Sequence, residues 1–366
     1  MNYKPFQHLK VVELASVLAG PAVGLFFAEL GATVIKIENK TTGGDVTRAW
    51  RLPCEGASLE KNDDGLLPIS AYYCSVNWNK ETYSLDFQDE TDKKTAYKLL
   101  ENADIIISNF KTSSAQAMGM DYETLRQRLP RMIYAQLYSY SADDNTPAFD
   151  IVMQAETGFL YMNGEPDRPP VKMPVALIDV LAAHQLKEAI LVALWQRERT
   201  GEGAFVSTSL FDSAVASLAN QATNWLMAGH IPQRMGCMHP NIAPYGEFFY
   251  TSDEKAIVIA VGTERQFKLL CEILQIADLQ KNSRFSTNAT RVQHRELLST
   301  FLKKAFKKFD EQTLLAAFKK QGVPAGSIRT MKEVFELEAT KHLILEETLP
   351  DGMETKRVKT VAFDWK

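Results

Sequence analysis

Short, almost wholly apolar runs alternate with stretches of helical apolar period through the first two hundred residues. Residues 9–15, 32–38, 104–108 and 132–137 are too short for helices and read as buried strands, with a shorter strand at 83–87. Between them, 22–30, 90–101 and 122–128 carry the helical period. Gly20-Pro21 opens the first of these helices and Gly31 closes it, so residues 9–38 predict a β-α-β unit. Strands alternating with helices predict a parallel sheet covered on both faces, with ligands held beyond the carboxyl ends of the strands.

The stretch 172–212 is the best defined. An apolar segment, 174–178, delivers Asp179 to the start of a long helix with Leu186, Ile190, Ala193 and Leu194 along one side. Thr200, Gly201, Glu202 and Gly203 stop that helix, 205–210 alternates like a strand, and Asp212 opens a helix expected to run to Leu226. From about residue 245 the texture changes. Two strands, 247–250 and 256–261, are followed by three helical segments between 264 and 320, and a last strand is expected at 357–363. The predicted fold is α/β: a Rossmann-like large domain over 1–226, a smaller α+β domain over 227–332, and a return of 333–366 to the large domain. Residues 39–75, rich in Gly, Asp, Asn and Pro, form a loop long enough to predict a functional role.

Composition narrows the choice. A chain of 366 residues predicts two domains. With 45% hydrophobic and 23% charged residues and a net charge of -4, nothing marks a nucleic-acid surface. No apolar run approaches a bilayer span, and the first residues lack the apolar centre of a signal peptide, so a cytoplasmic protein without a membrane partner is expected. Cys54, Cys74, Cys237 and Cys271 are scattered, which predicts reduced thiols and no metal site.

Candidate chemistry starts from Asp179. Alone, an acid at a helix start reads first as an N-cap. The turn 16–20 lacks the G-x-G-x-x-G spacing, so no nicotinamide or flavin is inferred, and the zinc-hydrolase, Walker A and G-x-S-x-G patterns are missing. Free N–H groups at that turn suit a phosphate, although an ordinary β-α connection reads equally well. Lys80 is a candidate point charge for a phosphate or a solvated lysine; Asn109-Phe110 stands at a strand end where ligands sit, or is a plain loop. His184 reads as a surface helix residue and His239 as a turn residue with a smaller chance of facing a ligand.

At these residues the chain resembles the class III CoA-transferases of the CaiB/BaiF type, which include formyl-CoA and carnitine CoA-transferases and are related to the α-methylacyl-CoA racemases. The matching segments run from 14–38 (LASVLAGPAVGLFFAELGATVIKIE) through Asn79-Lys80, Asn109-Phe110, 149–155 (FDIVMQA), the Asp179 region, 199–203 (RTGEG), His239-Pro240-Asn241 and 322–326 (GVPAG). The resemblance implies a ring-shaped subunit in an interlocked homodimer, Asp179 as catalytic residue, and a CoA site formed by Val17, Leu18, Ala19, Lys80, Asn109, Phe110, Met118 and Tyr140. It implies no tightly bound cofactor, with coenzyme A as co-substrate and an acyl-CoA and a carboxylic acid as partners.

Departures from the family pattern refine this. Racemases carry histidine where Phe149 stands, and phenylalanine cannot move a proton, so transfer is favoured over racemisation. Asn39 and Ala117 occupy positions where some transferases place arginines, and Ser139 and Ser141 replace glycines. No glycine-rich flap stands near 237–245, which argues against formyl or oxalyl transfer. The expected activity moves CoA from a thioester to an acid through aspartyl anhydride and aspartyl-CoA intermediates. A racemase and a non-catalytic CoA-binding protein are the alternatives.

Overall fold

The computed structural model describes residues 4–56, 60–144, 146–349 and 351–364. The chain divides into two compact units. The first comprises Met1–Phe159, Lys172–His230 and His342–Lys366; the second comprises Leu160–Val171 and Ile231–Lys341. The short segment Leu160–Val171, which the composition placed with the large domain, belongs to the second unit.

Six parallel strands form the sheet of the first unit: β1 (Lys10–Leu14), β2 (Thr33–Asn39), β3 (Lys80–Leu85), β4 (Ile105–Ser108), β5 (Ile133–Tyr138) and β6 (Ala204–Ser209). Their spatial order is β3-β2-β1-β4-β5-β6. The order reverses between β1 and β4, and an open α/β sheet places its ligand crevice there.

Alternation along the strands assigns the two faces. Val11, Ile105, Ile107 and Ile133 join Val23 and Phe27 of the helix Ala19–Glu29, and Leu186 and Ile190 of the helix Leu177–Thr200, in one core. Val12, Leu14, Ile35, Ile37 and Ile106 face the other way, toward Ala96 and Leu100 of the helix Glu90–Leu100. Each fully buried aliphatic side chain contributes roughly 1.5–3 kcal/mol against an entropic cost of similar total size.

Three expectations change in detail. The helix expected from Asp212 to Leu226 is two helices, Leu210–Ala216 and Ala219–Ala228, with Ala219 at φ 47° between them. Ser209 caps the first by accepting the Asp212 N–H at 2.9 Å, so Asp212 lies inside the first turn rather than opening it. The last strand falls at Glu354–Val358 and pairs antiparallel with Ile344–Thr348 in a separate ribbon, β10 and β11, because its register partner is the chain just before it and not the main sheet. The long loop after β2 is packed: its 3₁₀ turn Val46–Ala49 and helix Ala71–Cys74 bury Thr47, Arg48 and Tyr73.

The second unit has its own antiparallel sheet, β7 (Tyr245–Tyr250), β8 (Ala256–Ala260) and β9 (Ala325–Ser327), in the order β7-β8-β9. Phe249, Ile257 and Ile259 pack there with Phe267, Leu302, Phe306 and Phe318 from its helices. Residues 264–320 hold more helical pieces than the three expected, because His294 breaks one of them into Asn288–Gln293 and Arg295–Phe306.

Candidate active site

At the carboxyl ends of β1, β4 and β5 the first unit opens into a cleft of about 250 Å³. Its walls come from Ser16, Val17 and Ala19 after β1, from Asn109 to Thr112 after β4, and from Leu137, Tyr138, Ser139, Ser141 and Ala142 at the end of β5. Asp144, the segment Thr146 to Phe149, Leu210 and Asp179 complete the lining.

Asp179 is the third residue of the helix Leu177–Thr200, whose N-cap, Ala176, offers no side-chain cap. The aspartate does not cap the helix either. Its carboxylate has no hydrogen-bond or ion-pair partner among the described residues, although the side chain is only 8% exposed. Burial, with the nearby charge of Asp150 in support, pushes its pKa up to about 7. A buried acid left without donors among the described residues is costly for the fold, and such a group in a cleft is a candidate functional residue.

Asp150 has the opposite surroundings. One of its oxygens accepts the Ile178 N–H at 2.7 Å and the other accepts Gln154 Nε2 at 2.5 Å. Gln154 in turn accepts the Met173 N–H at 2.9 Å. The pair thus divides its work: Asp150 ties down the approach to the long helix, and Asp179 keeps its oxygens open to the cleft. The N–H of Asp179 itself has no partner among the described residues.

An aromatic wall stands beside them. Trp50 meets Tyr72 edge to face at 5.0 Å and Phe149 at 6.2 Å. Burial and the charges of Asp179 and Asp150 drive the Tyr72 hydroxyl up to about 12, so it stays protonated as a donor. Sequence reading missed Asp150, Trp50 and Tyr72, which lie on three separate segments with no spacing rule among them.

The structure brings together Val17, Ala19, Asn109, Phe110 and Asp179 around one cleft. Leu18, Met118 and Tyr140 are partly buried in the adjoining cores, Tyr140 with its ring 5.8 Å from that of Phe211. Lys80 lies elsewhere. Its ammonium bonds Glu13 Oε2 at 2.7 Å, the Pro21 carbonyl at 2.9 Å and Asn77 Oδ1 at 3.0 Å, with the side chain 1% exposed. Burial lowers its pKa to about 8. A lysine so enclosed is directed into the protein rather than toward a ligand phosphate, because its three donors are already matched.

Of the departing positions, Ser139 and Ser141 line the cleft, Asn39 accepts the Thr41 N–H at 2.9 Å in a turn, and Ala117 is exposed. His184 is exposed on the long helix. His239 lies in a turn of the second unit, where Nδ1 accepts the Asn241 N–H at 3.1 Å. Among the described residues no group of three His, Cys, Asp or Glu side chains is arranged to hold a metal ion, and no helix is long and apolar enough to cross a membrane.

Comparison with known proteins places the chain in a family. The chain is 36% identical over 334 residues to succinate–glutarate CoA-transferase of Agrobacterium fabrum, covering 90% of this chain and 82% of that one. It is 33% identical over 350 residues to human succinyl-CoA:glutarate CoA-transferase, covering 94% and 77%. A crystal structure of a CaiB/BaiF family protein from Brucella suis superposes with a TM-score of 0.86 at 36% identity, covering 99% of this chain and 93% of that one. The model of CoA-transferase family III matches residues 6–366, so the chain belongs to that family and is a CoA-transferase.

Proposed function

We propose that this enzyme exchanges CoA between short dicarboxylic acids, with Asp179 as the nucleophile. The observation that carries the reading is the buried Asp179 carboxylate, unpartnered among the described residues, in a cleft at the sheet's switch point. The dicarboxylate class is supported by the names of the relatives, which act on succinate and glutarate.

Asp179 attacks the thioester carbonyl, the C–S bond breaks, and CoA leaves as thiolate, giving an acyl-aspartyl anhydride. The thiolate attacks the aspartyl carbonyl of that anhydride, releasing the donor acid and leaving CoA on Asp179. The acceptor carboxylate then displaces the thiolate to form a second anhydride. Attack of the thiolate on the acceptor's acyl carbon yields the new thioester and restores the aspartate. Each step exchanges one activated acyl group for another, so ATP is not required.

A carboxylate is a weak nucleophile in water, and its environment here raises that strength. A pKa near 7 leaves about half the groups ionised at neutral pH, a twofold loss, while the poorly solvated anion is more basic and more reactive. The N–H of Asp179, without a partner among the described residues, and the Tyr72 hydroxyl would serve as donors to the carbonyl that becomes tetrahedral; one such donor contributes roughly 2.7–4 kcal/mol. Asn109 and Val17, with Phe110, would bind the pantetheine arm. A 250 Å³ cleft suits the thioester end of CoA, with the nucleotide lying outside it.

The homodimer belongs to this proposal. The long helix buries Leu186 and Ile190 but exposes Val192 and Trp195, each by 64%, and the helix Ala219–Ala228 buries none of its residues. Leu226 and Met227 are 78% and 82% exposed. Apolar surface of this kind is expected to be covered by a second copy.

The test is CoA exchange from succinyl-CoA to a panel of acids, with mass spectrometry of the protein. Wild type should carry a CoA or acyl adduct on Asp179, and Asp179→Ala should lose exchange while still binding CoA. Retained exchange in that variant would overturn the reading.

A further inference from the structure

The turn between β1 and the helix Ala19–Glu29 is held almost entirely by side chains from other segments. The Ala15 carbonyl accepts Lys36 Nζ at 2.7 Å. Asn109 takes the Ser16 N–H at 3.3 Å and donates to the Ser16 carbonyl at 2.9 Å. The Val17 N–H points between the oxygens of Asp45, at 3.2 and 3.3 Å. The Pro21 carbonyl accepts Lys80 Nζ.

Val17 sits at φ 75°, in the left-handed region. That conformation is sterically disfavoured for an L residue, and a β-branched side chain adopts it only when its surroundings impose it. The same residue lines the cleft that contains Asp179. A strained backbone at a ligand wall therefore depends on the Asp45 carboxylate.

Asp45 is itself fixed from all sides. It pairs with Lys36 at 3.0 Å, accepts the Thr47 N–H at 3.0 Å and hydroxyl at 2.8 Å, and its own N–H donates to Glu38 at 2.7 Å. Behind it, Lys36 and Lys80 share Glu13, and Arg48 grips Glu38 at 2.7 Å. Three carboxylates (Glu13, Glu38, Asp45) balance three cations (Lys36, Arg48, Lys80), and all are buried or nearly so. Two glycines make room: a Cβ on Gly24 would lie 2.1 Å from Glu13 Oε2, and one on Gly44, 2.3 Å from Glu38 Oε2.

A buried ion network of this size is a poor stabiliser, since desolvation offsets most of the attraction and apolar replacements often fold as well. Its geometry explains it better than its energy does. We propose that Asp45 is a positioning residue for the transferase site, and that the network fixes its carboxylate so that Val17 keeps the left-handed turn that shapes the wall against which the thioester-bearing arm lies. The inference rests on the CoA-transfer reading and adds a residue that does not touch substrate.

The experiment compares Asp45→Asn, Thr47→Val and Asp45→Asn combined with Val17→Gly in steady-state exchange, with CoA binding by calorimetry alongside. Asp45→Asn should raise KM for acyl-CoA about tenfold with kcat changed less than threefold. Thr47→Val, which removes one bond to Asp45 and no charge, should move KM the same way by a smaller factor and guards against misfolding of the first variant. Whatever Val17→Gly costs alone, adding it to Asp45→Asn should lower KM at least threefold, because glycine takes the left-handed turn unaided. A thermal-stability loss with KM unmoved, or a double variant no better than Asp45→Asn, overturns the inference. Wild-type protein that neither exchanges nor binds CoA would overturn the transferase reading together with it.

Discussion

Asp150 accepts the backbone N–H of Ile178 at 2.7 Å, and Ile178 immediately precedes Asp179. One acid therefore anchors the first turn of the helix that presents the other. Its charge also helps hold the pKa of Asp179 high. Asp150→Asn should shift the acidic limb of the activity profile to lower pH, since it removes that charge, while Asp150→Ala should lose about tenfold or more in kcat by loosening the helix start. Titration of kcat/KM in both variants checks this, and an unshifted limb in Asp150→Asn would disprove the electrostatic part.

As the proposed nucleophile, Asp179 must be ionised, and its pKa of about 7 sets when that happens. The kcat/KM of wild type should rise about tenfold per pH unit below 7 and level off above it. A profile flat from pH 5 upward would show that Asp179 is ionised throughout.

The same burial acts on stability. The unfolded pKa lies near 3.8 and the folded one near 7, so between those values the folded state holds the extra proton and stability falls as pH rises. Above pH 7 the ionised side chain costs up to about 4 kcal/mol. Asp179→Asn should therefore stabilise the protein most above pH 7 and hardly at all below pH 4. Thermal melts at pH 4, 6 and 8 measure the trend.

Gly24→Ala should destabilise by about 1–3 kcal/mol or more, because the new methyl would meet Glu13 Oε2 at 2.1 Å inside the ion network. Denaturant unfolding is the readout. A neutral result would mean that Glu13 has room to move.

Trp195→Glu and Leu226→Glu alter exposed positions and should leave the fold intact while weakening self-association. Light scattering on the variants and wild type tests this. Wild type that is monomeric at micromolar concentration would remove the dimer from the proposal.

The parallel sheet was legible because apolar runs such as III at 105–107 leave few alternatives, and the long helix because Leu186 and Ile190 repeat at its period. The family was legible from motifs, and with it the importance of Asp179. Its physical state was not: the sequence suggested a helix cap, whereas the fold leaves the carboxylate buried and without donors among the described residues. Lys80 shows the opposite limit. Next to a strand it read as a ligand cation or a solvated lysine, but Glu13 of β1 lies at 2.7 Å and turns it inward.

By itself, then, the sequence determined the alternation of strands and helices, the order of the segments and the acid proposed to carry the chemistry, since these follow from local periodicity and from short motifs. Tertiary structure decided which polar groups meet. Glu13, Lys36 and Glu38 interrupt apolar strands without an apparent reason until the sheet and the loop after β2 bring them to Asp45. The physical reason is that a buried charge is tolerated only where its partners converge, and those partners come from segments whose separation along the chain carries no signal.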